Sequence, residues 1–488
     1  MTWSTLSIIM IPVGTLAGII FGALPGFSAA TGVALLMPFS FLFEPFEGLV
    51  LLCSVYIGAI YGGIIPAILL SIPGTPGASA LLLDGYPMAQ KGKPVLALSI
   101  TTISAVFGTI ISVLAFIFIA PVLARFSLRF GPPEMFWITM WGLTAIVAVN
   151  PTNLMKGMYT GLLGLVLGTI GADPIFAMQR MSMGMVEFYT GVPLIPSMVG
   201  MFCFSEMIMN LDLALAGVLV RNVSIKSSEL LEGFKVCFKH MREMLQGSVI
   251  GTIVGILPAA GASVAAFIAY NASRTTSKRP EQYGQGIPEG IICIGTSESG
   301  TVGGAIIPMM TLGIPGSATT AIMLGLMMFH GLRPGPMLFM QQWPLLRALS
   351  IAMIISAVLM GFMGLYICKY ASLIVKVDYR VLAPAVITLT ALASLSSSGN
   401  LNDVYIMFVF GILGIILHKQ GFPLISLVLG IILGPIAEAN MLQSLSMSGG
   451  SISVFFSSPI CIGLIVLNVV STVYPFLGIS KRRKPVQV

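Results

Sequence analysis

Residues Tyr61–Ala80 read YGGIIPAILLSIPGTPGASA, and residues Val302–Ala321 read VGGAIIPMMTLGIPGSATTA. Each copy carries two glycines, a proline and the triplet I-P-G in the same order, within sequence that is otherwise apolar. A shorter pair precedes them, GALPGFSAA at Gly22–Ala30 and GILPAAGAS at Gly255–Ser263. Proline removes a backbone donor, and glycine permits backbone angles that a helix does not use. The pattern therefore predicts helices that are broken at matching places in two halves of the chain.

The composition of the 488-residue chain indicates a membrane protein. Charged residues make up 8% and hydrophobic residues 56% of the sequence, whereas a soluble domain has about 25% charged residues. The mean hydropathy is +0.99. At about 20 apolar residues per crossing, we predict an all-α polytopic membrane protein with about 12 transmembrane segments. Two structural repeats, inverted relative to each other and containing broken helices and re-entrant hairpins, are expected to form it.

Charge and cysteine usage argue against other classes of protein. The six cysteines are scattered singly, without the spacing of a disulfide framework or a zinc site. The formal net charge is +7, but the positive residues lie in polar loops and in the terminal KRRK at Lys481–Lys484. Because cytoplasmic loops concentrate Lys and Arg, we predict a cytoplasmic C-terminus and no nucleic-acid partner. The N-terminus lacks the basic region of a cleaved signal peptide, so its apolar run is expected to be a span.

The polar segments divide the chain into four predicted parts. These are an N-terminal membrane repeat at 1–211, a basic cytoplasmic connecting segment at 212–246, a C-terminal membrane repeat at 247–480 and a basic cytoplasmic tail at 481–488. Basic residues lie on both sides of the apolar run 247–270, and both sides favour the cytoplasm. This run is therefore predicted to be a re-entrant hairpin that turns at Leu257–Gly261.

Helix breaks inside a membrane imply an internal polar site, because the freed backbone groups must find partners within the protein or beside a wet cavity. Thr75 is predicted to cap a helix that starts at Pro76, and Ser317 to cap another. Ser28 and Ser263 occupy similar places after two further breaks. Helix N-termini bind carboxylates, so these four ends predict an anion site. The predicted substrate-binding residues are Pro25, Gly26, Ser28, Pro73, Gly74, Thr75, Pro76, Gly77, Gly261, Ser263, Pro315, Gly316, Ser317 and Thr319.

Glu298 is the leading acidic candidate, because it lies in apolar sequence ten residues before Pro308. Ionisable groups within a membrane are costly and usually functional. Three roles are open for it: coordinating a cation, carrying a proton, or pairing with a backbone donor. For any single Gly-Pro pair the alternative is a packing role, since small residues also serve close helix contacts. No cofactor or resident metal is predicted, and Na⁺ is considered only as a coupling ion.

The segments quoted above resemble the large membrane subunit of tripartite tricarboxylate transporters, the TctA-like family. SRTTSKRPEQYGQGIPEG and GTIGADPIFAMQR also resemble the family, and the similarity extends to about residue 340. The resemblance implies a multi-pass subunit of a cation-coupled importer in the bacterial inner membrane. Its implied partners are a small membrane subunit, a periplasmic solute-binding protein, an organic di- or tricarboxylate and the lipid bilayer. Family motifs carry over at Pro25, Gly26, Pro73, Gly74, Thr75, Pro76, Gly77, Pro258, Gly261, Glu298, Pro315, Gly316 and Ser317.

Two departures from the family pattern fall beside these residues. Ser299, Gly300 and Thr301 stand where the family usually has Ala-Asn-Asn, and Ser71 stands where Asn commonly precedes I-P-G. Both departures replace amides with smaller groups, so the resemblance does not imply citrate as the solute. The predicted cation-coupling residues are Glu298, Ser299, Thr301 and Ser71.

The expected mechanism is secondary active symport, in which Na⁺ or H⁺ binds near the carboxylate. An elevator-type displacement of the domain that holds the broken helices is expected, with rocking as the alternative. A passive anion channel is a second interpretation, and it would conduct without the binding protein. An intramembrane enzyme is a less favoured one, because no motif places a nucleophile beside a base.

Overall fold

The computed structural model describes residues 3–24, 27–149, 154–173, 178–185, 188–189, 191–209, 227–258, 261–367 and 379–478. Pro25, Gly26, the tail at 481–488 and the first part of the predicted connecting segment lie outside these ranges. The described residues are mainly helical, and one short antiparallel pair joins Gly171–Ala172 to Gln179–Arg180. The predicted all-α class is confirmed.

Within the described ranges the chain forms 21 α-helices. In chain order they are α1 (Thr5–Ala23), α2 (Ala29–Ser40), α3 (Pro45–Gly62), α4 (Ile64–Leu70), α5 (Gly85–Gln90), α6 (Pro94–Ser127), α7 (Pro132–Val149), α8 (Leu154–Gly168), α9 (Leu194–Val199), α10 (Ser205–Met209), α11 (Ser227–Lys239), α12 (Met241–Ile256), α13 (Gly261–Thr276), α14 (Pro288–Leu312), α15 (Ala318–Phe329), α16 (Pro336–Gln341), α17 (Trp343–Ile367), α18 (Tyr379–Ser398), α19 (Leu401–Lys419), α20 (Leu424–Met447) and α21 (Pro459–Gly478). Shorter elements are the 3₁₀ helices Gly77–Leu82, Pro280–Gln282 and Ile452–Phe456, and a π-helical turn at Gly200–Phe204.

Long apolar helices dominate the fold. Within the described ranges, seven helical stretches are long and apolar enough to cross a membrane, judged by length and composition alone. They are Thr5–Ala23, Pro45–Leu70, Pro94–Ser127, Pro288–Leu312, Trp343–Ile367, Leu401–Lys419 and Leu424–Met447. Two of them, Pro45–Leu70 and Pro288–Leu312, are buried over their whole apolar window. A helix that is apolar all round and buried belongs to the interior of a bundle.

The chain forms two compact units. The first comprises Met1–Ala124 and Ile195–Ile415, and the second Arg125–Leu194 and Ile416–Val488. Within the second unit, α7 and α8 pack against α20, and α21 packs against α7. An ion pair between Arg180 and Glu438 joins the short strand Gln179–Arg180 to α20. The hydrogen bonds to Glu438 raise the pKa of Arg180 above its ordinary value. All four predicted helix breaks lie in the first unit.

Two helix pairs in the first unit are in direct backbone contact. α1 packs against α3, and a Cβ added at Gly18 would lie 2.3 Å from the carbonyl oxygen of Val55. α12 packs against α14 in the same way, and a Cβ at Gly251 would lie 2.2 Å from the carbonyl oxygen of Ser297. Small residues permit such approach in membrane proteins, where close packing replaces the hydrophobic driving force. The contact glycines recur every four residues, at Gly14, Gly18 and Gly22 on α1 and at Gly247, Gly251 and Gly255 on α12.

The helices end where the Pro-Gly pattern predicts. α4 ends before Ser71, which has a left-handed backbone with φ +62°, and α14 ends before Gly313, with φ +71°. α12 and α13 pack against each other and are separated by the predicted turn, of which residues 259–260 lie outside the described ranges. The described part of the predicted connecting segment forms α11 and the start of α12.

Candidate functional site

The first break places Thr75 against a carboxyl group from the other half of the chain. The Thr75 hydroxyl donates a 2.7 Å hydrogen bond to Oε1 of Glu298 in the middle of α14. It also accepts a long 3.4 Å hydrogen bond from the N–H of Ala78, in the 3₁₀ helix that follows. Gly77 packs directly on the same carboxyl group, since a Cβ there would lie 2.6 Å from Oε1. The 3₁₀ helix begins at Gly77 with Pro76 as its N-cap, so the predicted cap at Thr75 is wrong by one residue, and the main partner of Thr75 is Glu298.

Glu298 is wholly buried, and only one of its oxygens has a partner. Its exposed fraction is 0%, and among the described residues Oε2 makes no hydrogen bond. The hydroxyl of the neighbouring Ser299, 1% exposed, is likewise without a partner there. An unpaired buried carboxylate costs several kcal/mol or more, so such a group is neutralised or binds a cation. The position has the properties of a proton or cation site.

The second break places Ser317 at the start of a regular helix. The Ser317 hydroxyl accepts a hydrogen bond from the N–H of Thr320, and the Thr320 hydroxyl accepts one from the N–H of Ser317. This reciprocal capping box confirms the predicted cap and leaves the N–H groups of Ala318 and Thr319 at the open end of α15. The hydroxyl of Tyr56, on α3, lies 3.4 Å from that of Ser317. Tyr56 is absent from the predicted site.

Tyr56 and Glu298 occupy corresponding positions. Tyr56 precedes Pro66 by ten residues, and Glu298 precedes Pro308 by ten. Each side chain contacts the hydroxyl that follows the break of the other half, Ser317 in one case and Thr75 in the other. The sequence carried the signal that would have identified Tyr56, namely its spacing from the proline. The signal was missed because Tyr56 carries no charge at neutral pH.

A third break brings in a second carboxyl group. Ser28 caps α2 as predicted, accepting a hydrogen bond from the N–H of Thr31. The half-buried Glu206 of α10 accepts hydrogen bonds from the hydroxyls of Ser28, at 3.2 Å, and Thr31. The π-helical turn just before α10 positions Glu206, and such turns often occur at functional sites. From sequence, Glu206 lies at the end of an apolar segment, which gives no indication of this contact.

Other predicted residues lie apart from these contacts. Ser263 is inside the first turn of α13, because that helix already begins at Gly261, with φ +69°. The hydroxyl of Thr301 donates to the backbone carbonyl of Glu298, so it serves its own helix. Ser71 is exposed, whereas Glu298 is buried and accepts its side-chain hydrogen bond from Thr75. Gly74 and Gly316 lie at close backbone contacts, and Pro76 is exposed.

Asp84 fastens the segment after the first break to the start of α14. It is 0% exposed, and its Oδ1 accepts hydrogen bonds from the N–H groups of Gly284, Gly286 and Ile287 at 3.0, 2.6 and 3.0 Å. Backbone N–H groups that converge on one carboxylate bind it strongly. Asp84 is therefore a structural link between the two halves rather than a member of the site at the breaks.

Known proteins that are similar to this chain identify its family. The model of the tripartite tricarboxylate transporter TctA family matches residues 8–429. An uncharacterised 52.8 kDa protein in the TAR-I ttuC′ 3′ region of Agrobacterium vitis is 32% identical over 475 residues, covering 97% of this chain and 94% of that protein. An uncharacterised protein in the TAR-II ttuC′ 3′ region of the same organism is 31% identical over 238 residues, covering 49% of this chain and 98% of that protein. No solved structure gives a significant match.

The broken helices, the buried carboxyl group and the family match lead to one conclusion. The chain belongs to the tripartite tricarboxylate transporter TctA family and is the multi-pass membrane subunit of such a transporter, not an enzyme.

Proposed function

We propose that this chain forms the translocation path of a cation-coupled secondary importer of organic carboxylates. The observation that carries the proposal is the pair of contacts at the breaks, in which Tyr56 meets Ser317 and Glu298 meets Thr75. The hydroxyls and the helix N–H groups can donate hydrogen bonds to an anion. The buried carboxyl group can bind a cation. Broken helices of secondary transporters bind both kinds of ligand in this way.

Two inverted repeats are proposed as the source of this arrangement. α1 packs on α3 as α12 packs on α14, and α2 packs on α3 as α13 packs on α14. The elements after the breaks then exchange partners, because the 3₁₀ helix Gly77–Leu82 packs on α13 while α15 packs on α2. A two-fold axis that relates the halves accounts for this exchange. With the shorter apolar helices acting as hairpin arms or half-helices, about 12 segments would cross the membrane.

The solute is proposed to bind on the side of the second break. Ser317 and Thr319 lie in the first turn of α15, whose free N–H groups and partial positive charge favour a carboxylate. The Tyr56 hydroxyl adds a neutral donor. In contrast, the hydroxyls of Thr75 and Ser28 already donate to protein carboxyl groups. Of the four predicted anion-binding ends, one is thus proposed to be free and two hold acidic side chains, while Ser263 lies inside the first turn of α13.

The coupling cation, Na⁺ or H⁺, is proposed to bind on the side of the first break. Glu298 supplies an unpaired oxygen there and Ser299 an unpaired hydroxyl. A cation at this position would neutralise the buried carboxylate and reduce its repulsion of a bound anion. Occupancy by the cation and occupancy by the carboxylate would therefore favour each other, which is the requirement for coupling.

The proposed setting is the bacterial inner membrane with a cytoplasmic C-terminus. A small membrane subunit and a periplasmic solute-binding protein are the proposed partners, and the binding protein would select the carboxylate. Rigid displacement of the paired hairpins, as in an elevator, is the proposed motion.

Uptake by proteoliposomes tests this function. The full-length chain would be reconstituted with the other subunits of its transporter and supplied with labelled citrate, malate or succinate. We expect accumulation against the solute gradient that requires the binding protein and an imposed Na⁺ or proton gradient. Equilibration without the binding protein would indicate a passive channel instead, and cleavage of the label without accumulation would indicate an enzyme.

A further inference from the structure

The environment of Glu298 distinguishes between the two candidate coupling ions. A sodium ion requires several converging oxygens, which transporters supply from unwound backbone and helix C-termini. α14 is an unbroken helix from Pro288 to Leu312, so the backbone carbonyls around Glu298 are engaged in the helix. Thr301, the nearest hydroxyl on the following turn, donates back to the carbonyl of Glu298 at 2.6 Å. Few oxygens are free to complete a coordination shell here.

The space around the carboxyl group is also restricted. Gly77 lies so close to Oε1 that even one added carbon would approach it to 2.6 Å. The hydroxyl of Thr75 donates to this carboxyl group and accepts a hydrogen bond from the N–H of Ala78. Its oxygen is therefore already engaged on both sides and offers little to a metal ion. A proton needs one free oxygen, and Oε2 is that oxygen.

No counter-charge balances Glu298 within the part of the chain that the structure describes. The nearest acidic residue along α14 is Glu289, nine residues away, or about 13 Å at the helical rise. It pairs with Arg279, and His240 lies 3.8 Å from it. The other titratable side chains on α14 and on the elements packed against it are Glu47, Cys53, Tyr56, Tyr61, Asp84, Arg125, Arg242, Glu243, Tyr270, Arg274 and Cys293. None of them forms an ion pair or a hydrogen bond with Glu298.

We propose, on the basis of the transport function above, that Glu298 is a proton-binding residue and that H⁺ is the coupling ion bound there. A proton taken up from the periplasmic side binds to Oε2 and neutralises the buried carboxylate. The neutral carboxyl group accepts a weaker hydrogen bond from Thr75, because charge-assisted hydrogen bonds are the stronger ones. The segment after the first break is then held less tightly to α14. Release of the proton on the cytoplasmic side restores the original hydrogen bond.

Infrared spectroscopy detects this protonation without a solute. The full-length chain in nanodiscs of phosphatidylethanolamine and phosphatidylglycerol would be titrated in H₂O and D₂O. We expect the carbonyl band of a buried protonated carboxyl group, which titrates and is missing from Glu298→Gln. If that variant does not fold, Glu298→Asp should retain the band at a shifted frequency. A wild-type spectrum without a band assignable to residue 298 at any pH that preserves the fold overturns the proposal.

Uptake measurements separate this inference from the proposed function. In proteoliposomes with the complete transporter, an inward proton gradient should accelerate uptake of labelled citrate, malate or succinate. Glu298→Gln should lose this acceleration by the proton gradient, whereas Glu44→Ala, which changes an exposed residue without a capping hydrogen bond, should keep it. Uptake driven by a sodium gradient alone, equal in wild type and Glu298→Gln, overturns proton coupling and leaves import intact. A protonated Glu298 in a chain that transports none of these acids would instead contradict the proposed function.

Discussion

The hydroxyl of Tyr56 contacts Ser317 at 3.4 Å in the position where, in the other half of the chain, Glu298 contacts Thr75 at 2.7 Å. The two breaks therefore share one arrangement but differ in charge. A neutral phenol can donate to an anion, whereas an ionised carboxyl group repels it. This difference supports the proposal that the solute and the coupling cation bind at opposite breaks.

Replacing Tyr56 by Phe should weaken the binding of the solute. Loss of one hydrogen bond of about 1 kcal/mol corresponds to roughly a fivefold lower affinity. Initial rates of uptake at several solute concentrations would measure it as a raised apparent KM. Tyr61→Phe is the matched control, because Tyr61 is also buried on α3 but its hydroxyl contacts Thr102. Equal effects of both substitutions on KM would refute a direct role for Tyr56.

Thr75→Val should reduce transport more than it reduces the yield of folded protein. The substitution keeps the shape of the side chain and removes the donor to Glu298, which is worth about 1.5–3 kcal/mol when the acceptor is charged. Uptake normalised to purified protein gives the comparison. Thr311→Val is the control, since the Thr311 hydroxyl donates only to a carbonyl of its own helix. Parallel losses of yield and transport in Thr75→Val would favour a packing role.

Ser317→Ala should cost about 1 kcal/mol of stability through the lost helix cap and should also impair transport. Ser4→Ala removes a comparable cap, that of α1, whose first-turn N–H of Ser7 bonds to Ser4. Thermal unfolding should show similar destabilisation of both variants. Uptake should fall only in Ser317→Ala, and equal transport by the two variants would show that Ser317 acts only as a cap.

Asp84→Ala should strongly destabilise the protein. It leaves three backbone N–H groups without their shared acceptor, and each buried unsatisfied donor costs about 1–3 kcal/mol. Glu44→Ala is the control, because Glu44 is exposed and makes no capping hydrogen bond. Thermal unfolding in detergent would measure the effect, and unchanged thermal stability of Asp84→Ala would contradict the structural link.

Gly251→Ala should lower the yield of folded protein. The added carbon would lie 2.2 Å from the Ser297 carbonyl oxygen, so α12 and α14 must separate, and overpacking of this kind costs about 1–3 kcal/mol. Gly463→Ala is the control, because nothing lies within 4 Å of a Cβ placed there. Size-exclusion chromatography of the two variants gives the comparison, and equal recovery would contradict close packing at Gly251.

Local signals in the sequence predicted local structure well. The breaks after Leu70 and Leu312 and the caps at Ser28 and Ser317 follow from proline, glycine and hydroxyl positions within a few residues. Ser263 was misplaced by two residues, because the left-handed Gly261 already starts the helix. The start of α13 depends on the length of the turn before it, and the amino-acid composition of the turn does not determine that length.

Contacts between the halves could not be predicted in the same way. Glu206 reaches Ser28 only because α10 and its π-helical turn pack beside α2, across 178 residues of sequence. The partner of Glu298 depends on how the segment after the first break folds back onto α14. The repeated spacing from the prolines is the one sequence feature that links Tyr56 to Glu298, and it becomes informative once both contacts are known.

The close backbone contacts of α1 with α3 and of α12 with α14 restrict which parts of the protein can slide. At these faces the backbone of one helix lies directly against that of the other, so sliding would bring backbone atoms into collision. Each pair is therefore expected to move as one unit. The irregular peptides at Ser71–Thr75 and Gly313–Ser317 are left as candidate hinges, and they also bear hydroxyls that are proposed to face the ligands. On that proposal, a bound solute would also influence the angle at each hinge.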